Sequence, residues 1–295
     1  MTIPAKRRFD PMRFFQPKSV NLSGAGTRLG QGILANLHAS PFSGTLGVGG
    51  EALENADLAL VADDAADVPA ALAAHAARGA CGAIVFSEVE DLTEMAKSAG
   101  IRVLGPYSYG TMFTETGLNA SRFGQVPPRG RIALVGQSAS LARTVIDWAA
   151  ANSVGFSHII GIGGNADIGF GTVLDFLSRD AATAAILIEI DRLQNPRQFL
   201  TAARAAARLR PVIAIAPGVR LREADLNRAS CVGATFSGCD LSAALLEGTD
   251  FTDADLRGSD LTALDPLMAR LRGAVIDPAQ AVSLVEALGL SVRAD

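Results

Sequence analysis

The sequence predicts an α/β protein with two doubly wound parallel-sheet domains and a short coil of five-residue repeats. Three observations carry that expectation. Apolar residues fill 49% of the 295 positions but aromatics only 5%, so the core is built from Ala, Val, Leu and Ile, which suits layered helices and sheets. From Lys18 to Ala216 short apolar runs alternate with helix-period segments, as in parallel strands joined by crossover helices. From Ala224 the chain then falls into fives.

Lys18 to Leu22 form a first short strand. Ser23-Gly24-Ala25-Gly26-Thr27-Arg28-Leu29-Gly30-Gln31-Gly32 follows and runs into a helix over Ile33 to Leu37. A glycine-rich turn there either cradles phosphate at a helix N-terminus or only permits a tight bend. Further strands are expected at Thr45 to Val48, Ala56 to Ala62, Gly82 to Phe86 and Ile101 to Leu104, with helices at Val68 to Arg78 and Leu92 to Ser98. Ligands of such a sheet sit at the carboxyl ends of its strands, which here carry Gly24, Gly49, Asp63, Ser87 and Gly105-Pro106. Asp63 and Asp64 would repel a phosphate at that edge, or else cap the helix that begins near Asp67.

Val126-Pro127-Pro128-Arg129-Gly130 reads as a linker, because prolines block regular structure. A strand over Ile132 to Val135 then enters the turn Gly136-Gln137-Ser138-Ala139-Ser140. The helix Leu141 to Ala151 follows, with Leu141, Val145 and Trp148 spaced for one face. Ser138 and Ser140 make this turn either an anion site or a helix cap. Next come a strand, the loop Gly161-Ile162-Gly163-Gly164-Asn165, a helix, a strand ending at Glu189, a helix over Pro196 to Leu209 and a strand over Pro211 to Ala216.

Gln137-Ser138, Gly155-Phe156-Ser157, Gly164-Asn165 and Glu189, in that order, resemble the second domain of the NDP-forming acyl-CoA synthetases, the family that includes the succinyl-CoA synthetase α subunit. Pro17-Lys18-Ser19-Val20 followed by Gly24-Ala25 resembles the start of that family's CoA-binding domain. The resemblance implies a CoA-binding Rossmann-like domain over 18–128 and a flavodoxin-like ligase domain over 129–223 and 264–295. It implies CoA or acyl-CoA as cofactor, held by Gly24, Ala25, Thr27, Arg28, Gly30, Ser87, Gly105 and Pro106. Phosphate would lie against Gln137, Ser138, Ala139, Ser140, Gly164 and Asn165, and a separate ATP-grasp β subunit would be the partner. Glu189 would orient a phosphohistidine.

Three departures stand out. Ala139 replaces the glycine of the QSG turn, Tyr107 replaces the asparagine of GPN, and the phosphorylated histidine expected after Gly218 is missing. The histidines are His38, His75 and His158, all upstream. Structural roles are expected for them, with His75 on a surface helix. Without its nucleophile the family's phosphoryl relay cannot run.

In place of the histidine loop the fives run from Ala224 to Ala263. The first position of each is Ala, Cys, Thr or Ser. The third is Leu226, Cys231, Phe236, Leu241, Leu246, Phe251, Leu256 and Leu261. This resembles the pentapeptide-repeat family and implies a right-handed quadrilateral β-helix of two coils, inserted at 224–263, with Cys231 and Cys239 facing inward. A helix over Leu264 to Arg272, a strand over Ala274 to Ile276 and a helix over Pro278 to Leu288 would return the chain to the ligase domain.

The net charge of −4 gives no electrostatic case for nucleic acid. Three cysteines without CxxC spacing suggest a reducing cytoplasm, and no apolar run reaches membrane-span length. Residues 1–17 read as a solvated tail, no metal pattern is present, and an oligomer is expected. The expected function is CoA or acyl-CoA binding in a ligase-derived frame without ligase catalysis. The alternative is an active α-type ligase subunit. An enzyme of other chemistry using Ser138 or Ser140 as nucleophile ranks behind both, because no base is evident near them.

Overall fold

The computed structural model describes residues 9–215 and 225–293. The chain forms two compact units, Met1–Ile186 and Leu187–Asp295. The first unit begins with a short helix, α1 (Pro11–Phe15), capped by the Asp10 carboxylate. Phe14 and Phe15 are buried, and Phe15 stacks on Phe176 with centroids 4.8 Å apart. Arg13 pairs with Asp57 at 2.6 Å. From Asp10 onward the expected tail is therefore part of the fold, because two adjacent phenylalanines gain more from burial than a solvated tail allows.

Five strands make the first sheet: β1 (Ser19–Ser23), β2 (Thr45–Val48), β3 (Leu58–Val61), β4 (Ala83–Val85) and β5 (Val103–Leu104). Neighbouring strands pair in parallel, in the order β2-β1-β3-β4-β5. Helices α2 (Arg28–Ala39), α3 (Val68–Ala77) and α4 (Leu92–Ala99) make the connections. The order reverses between β1 and β3. It is a doubly wound order, as expected, and in sheets of this kind ligands sit at such a reversal. Every residue of β3 is buried, which is why it reads as a continuous apolar run.

The second sheet holds β6 (Gly110–Phe113), β7 (Leu118–Ser121), β8 (Arg129–Gly136), β9 (Phe156–Gly161), β10 (Ala185–Glu189) and β11 (Val212–Ile215), in the order β11-β10-β8-β9-β6-β7. Its helices are α5 (Ala139–Ala151), α6 (Phe170–Arg179) and α7 (Pro196–Ala207). The hairpin β6–β7 precedes the proline linker, yet it belongs to this sheet: Met112 lies opposite Ile159 and Thr111 opposite Ile160, antiparallel. The first domain expected over 18–128 thus yields residues 110–121 to the second sheet. A further correction concerns α5. Its buried stripe is Ala142, Ile146 and Ala149, whereas Trp148 is 59% exposed. Two alanines let the helix lie close on the sheet, and the larger stripe is left outside.

His75 and His158 are both buried, so His75 does not lie on the surface as expected. The imidazole of His158 stacks on Phe113 at 4.5 Å, with its Nδ1 3.6 Å from Asp180. Asp180 itself accepts from Gln16 and Thr183. Burial pushes the His158 pKa down to about 4, against the attraction of Asp180. The folded imidazole stays neutral where the unfolded one takes a proton. Stability is therefore fully present above about pH 6.5 and falls as pH drops toward 4, by on the order of 1–3 kcal/mol. Urea unfolding at pH 7 and pH 5 should show this loss, and His158→Phe should flatten it. An equal slope in the variant would remove the assignment.

In the second unit, bridges pair Asp225 with Leu245, Ser230 with Asp250, Thr235 with Asp255, Asp240 with Asp260, Asp250 with Arg270 and Asp255 with Val275, all parallel. Each joins residues twenty apart, so one turn takes four pentads. Leu241, Phe251 and Leu256 are fully buried, and Thr249, Ala254 and Ser259 pack at the small positions. Cys239 is buried as expected, but Cys231 only half so. Left-handed glycines turn the corners at Gly233, Gly238, Gly248, Gly258 and Gly273.

The coil does not stop at Ala263. Neither the expected helix over Leu264 to Arg272 nor the strand over Ala274 to Ile276 forms, and residues up to Val275 continue the repeat. Helix α8 (Pro278–Ala287) then closes it. Asp277 caps α8, and its Oδ2 accepts from Gly258 N–H at 3.0 Å. One turn earlier the same place is taken by a backbone carbonyl: Gly238 N–H donates to the carbonyl of Arg257. Gln280 Nε2 donates to the carbonyls of Leu256 and Ser259. Polar groups that another turn would have paired are thus satisfied by a helix cap.

Candidate functional site: two glycine-rich turns

At the reversal between β1 and β3, Gly24 sits at φ +69, and an added Cβ would lie 2.4 Å from the Ala62 carbonyl carbon and the Asp63 nitrogen. A Cβ at Gly30 would lie 2.0 Å from the Gly24 carbonyl oxygen. These two glycines hold strand, turn and helix in close contact. Thr27 caps α2, its hydroxyl accepting from Gly30 N–H and donating to the Gly24 or Ala62 carbonyl. Its expected place against a ligand is therefore taken up by positioning the turn. A side chain at Gly26, by contrast, would meet no protein atom within 4 Å. Gly26 and Arg28 are exposed and Ala25 is half-buried at the N-terminus of α2, the end of a helix dipole that favours anions.

Ser87 and Asp63 complete this strand edge. Ser23 donates to the Asp63 carboxylate and Ser87 to the Asp63 carbonyl. Asp67 is the N-cap of α3 and makes no side-chain cap bond, while the Asp63 carboxylate, just past the end of β3, accepts from Ser23. A carboxylate there favours hydroxyl donors over phosphate oxygens.

The second turn follows β8. Ser138 caps α5, accepting from Leu141 N–H at 3.2 Å, while Ala139 and Ser140 are exposed on the first helical turn. Gln137 Nε2 donates to the Gly163 carbonyl at 2.9 Å and ties the turn to the Gly163-Gly164-Asn165 loop. That loop packs on Gly105-Pro106. Gly164 N–H donates to the Pro106 carbonyl at 2.6 Å and Ala166 N–H to the Gly105 carbonyl. An added Cβ at Gly163 would lie 2.1 Å from the Pro106 oxygen. Gly105, Pro106 and Gly164 therefore join two loops to each other, a use the sequence did not reveal. Asn165 adopts φ +59, with Gly169 making room for its side chain. Glu189 ends β10 with its side chain buried.

No buried histidine offers a nitrogen to solvent, and His38 lies exposed in the last turn of α2. The expected catalytic loop at Gly218 lies outside the described residues. Among the described residues no helix is long and apolar enough to cross a membrane.

Residues 129–250 match the succinyl-CoA ligase-like flavodoxin domain. The chain carries a domain of the succinyl-CoA ligase family. Residues 236–276 match pentapeptide repeats in eight copies, so the repeats begin before that domain's match ends and extend past Ala263. An ADP-forming acetate–CoA ligase I of Archaeoglobus fulgidus is 30% identical over 237 residues, 70% of this chain and 34% of that protein. The α subunit of ADP-forming acetate–CoA ligase I from Pyrococcus furiosus is 34% identical over 131 residues, 44% of this chain and 28% of the subunit. The chain thus spans about a third of the length of these relatives. The dinucleotide-forming acetyl-coenzyme A synthetase 1 of Ca. Korarchaeum cryptofilum shares the fold, with a TM-score of 0.65 and 24% identity over 71% of this chain and 52% of that one.

Proposed function

We propose that this chain binds CoA or acyl-CoA at the Gly24–Arg28 turn and does not itself carry a phosphoryl group on histidine. The observation that carries the reading is the turn itself. Gly24 and Gly30 are required by contacts inside the protein, while Gly26 faces open space at a helix N-terminus. That arrangement suits the close approach of a diphosphate. Thr27 and Gly30 shape the site, and Ala25, Gly26, Arg28 and Ser87 contact the cofactor. Gly105 and Pro106 brace it. CoA supplies the thiol that carries an acyl group; the chain's residues bind and orient it.

The repeats complete the reading as a right-handed, four-sided coil. They run to Val275 and are capped by α8. A second reading, an α-type subunit acting with a separate ATP-grasp subunit, is favoured by the Gln137–Ser138 turn held against the Gly163–Asn165 loop, where phosphate would lie on Ala139, Ser140 and Asn165. In that reading Glu189 would need a phosphorylated group supplied from elsewhere.

Calorimetric titration of the chain with CoA tests the first reading. Arg28→Ala should weaken binding by about 1.5–3 kcal/mol through lost charge-assisted hydrogen bonds. Unchanged affinity in the variant would remove the turn from the site. Incubation with γ-labelled ATP and a β subunit separates the readings: label on the chain favours the second, binding without label the first.

A further inference from the structure

We propose that Arg28 and Arg122 together grip the 3′-phosphate of CoA, in a depression they share beside α2. The inference rests on the CoA reading above and adds a residue and a specificity to it. The depression has a volume of about 500 Å³ and is lined by Arg28, Leu29, Gly32, Ile33 and Arg122. Arg28 is the first residue of α2, and Arg122 directly follows β7. The two elements are fastened together: Asn36 Nδ2 on α2 donates to the Ser121 carbonyl at 2.9 Å, and Arg122 N–H donates to the Tyr109 carbonyl at 3.0 Å.

Charge is the first argument. Arg13, Arg78, Arg102, Arg129 and Arg179 each face a carboxylate within 2.8 Å. Arg28 and Arg122 form no ion pair with any described residue, although they line one depression. Two unpaired guanidiniums at one place suit a dianion. A phosphate monoester carries close to two negative charges at neutral pH, whereas each unit of a diphosphate diester carries one. Each guanidinium fork can take two oxygens.

Shape is the second argument. Gly32 lies inside α2 and lines the depression, and a Cβ there would meet nothing within 4 Å. Glycine is among the poorest helix formers, and no contact within the described chain demands it at this position. What it provides is a low floor beside the two arginines. Gly32 lies four residues beyond Arg28, about 6 Å along the helix axis. The depression therefore extends the Gly24–Arg28 turn along α2. A diphosphate at the turn and a monoester beside Arg122 fit one nucleotide.

The test is titration of the full chain with CoA and with dephospho-CoA, which lacks only the 3′-phosphate. The native chain should bind CoA about tenfold or more tightly than dephospho-CoA. Arg122→Gln should lose about that factor for CoA, keep its affinity for dephospho-CoA, and keep its thermal midpoint. Gly32→Gln, which fills the floor, should lower CoA affinity more than dephospho-CoA affinity. Equal affinity of the native chain for the two ligands would overturn the inference and leave CoA binding intact. Equal losses for both ligands in Arg122→Gln would overturn it as well. If the native chain binds neither, the CoA reading itself falls, and this inference with it.

Discussion

Gly30→Ala should cost roughly 3 kcal/mol of stability and remove measurable CoA binding. The methyl group would sit 2.0 Å from the Gly24 carbonyl oxygen, so backbone and not a movable side chain must yield. Gly24 cannot shift freely either, because it rests against the Ala62–Asp63 peptide. Chemical denaturation and CoA titration of the same preparation check both parts. Gly26→Ala is the control. Its methyl meets no protein atom, so stability should change by less than about 0.5 kcal/mol while CoA affinity falls. If Gly30→Ala unfolds like the native chain, the tight turn is not what these glycines secure. If Gly26→Ala binds CoA normally, the ligand does not approach that backbone.

Phe251→Ala should destabilise the second unit by about 3–5 kcal/mol. The ring is fully buried in the coil and meets Phe236 edge-on with centroids 5.5 Å apart. A coil of so few turns has little other apolar volume with which to collapse around the gap. Burial holds the Cys239 thiol pKa above its usual range, and pushes that of Cys231 up to about 11. Their reaction with a thiol reagent at pH 8 therefore reports opening of the coil. Phe251→Ala should speed it many-fold, and Phe251→Leu should do so far less. Native-like protection in the alanine variant would mean that the coil's packing does not depend on this ring.

Much of this architecture was legible from residue patterns, and the misses have physical causes. The strands β3, β8 and β9 are buried apolar runs bounded by turn residues, and these are readable one at a time. The hairpin β6–β7 was not, because its membership depends on antiparallel pairing with β9, some forty-five residues later in the chain. Local sequence carries no mark of so distant a partner. In α5 side-chain bulk does not mark the buried face. Close packing on the sheet instead selects Ala142 and Ala149 around Ile146 and leaves Trp148 in solvent. The end of the repeats was misjudged at one pentad. Leu264 replaces a small residue and Pro266 an apolar one, after which Ala269-Arg270-Leu271 and Ala274-Val275-Ile276 resume the pattern.

In the candidate site the glycines and Arg28 were readable as a phosphate turn. Ser87, Gly105 and Pro106 are readable as strand ends and Gly164 only by resemblance, and the last three are spent joining loops. Arg122 carried no signal, since it follows a strand that the pattern did not show.

The cap on the coil limits how this chain can change length. Asp277 and Gln280 fit because Gly258, Leu256 and Ser259 lie directly beneath them, one full turn back. Deleting a single pentad would carry α8 about a quarter turn around the coil axis, over groups of another side. Deleting twenty residues would return it to an equivalent seat. Viable length variants of this protein should therefore differ by whole turns, so that the helix sealing the end acts as a counter of the repeats below it.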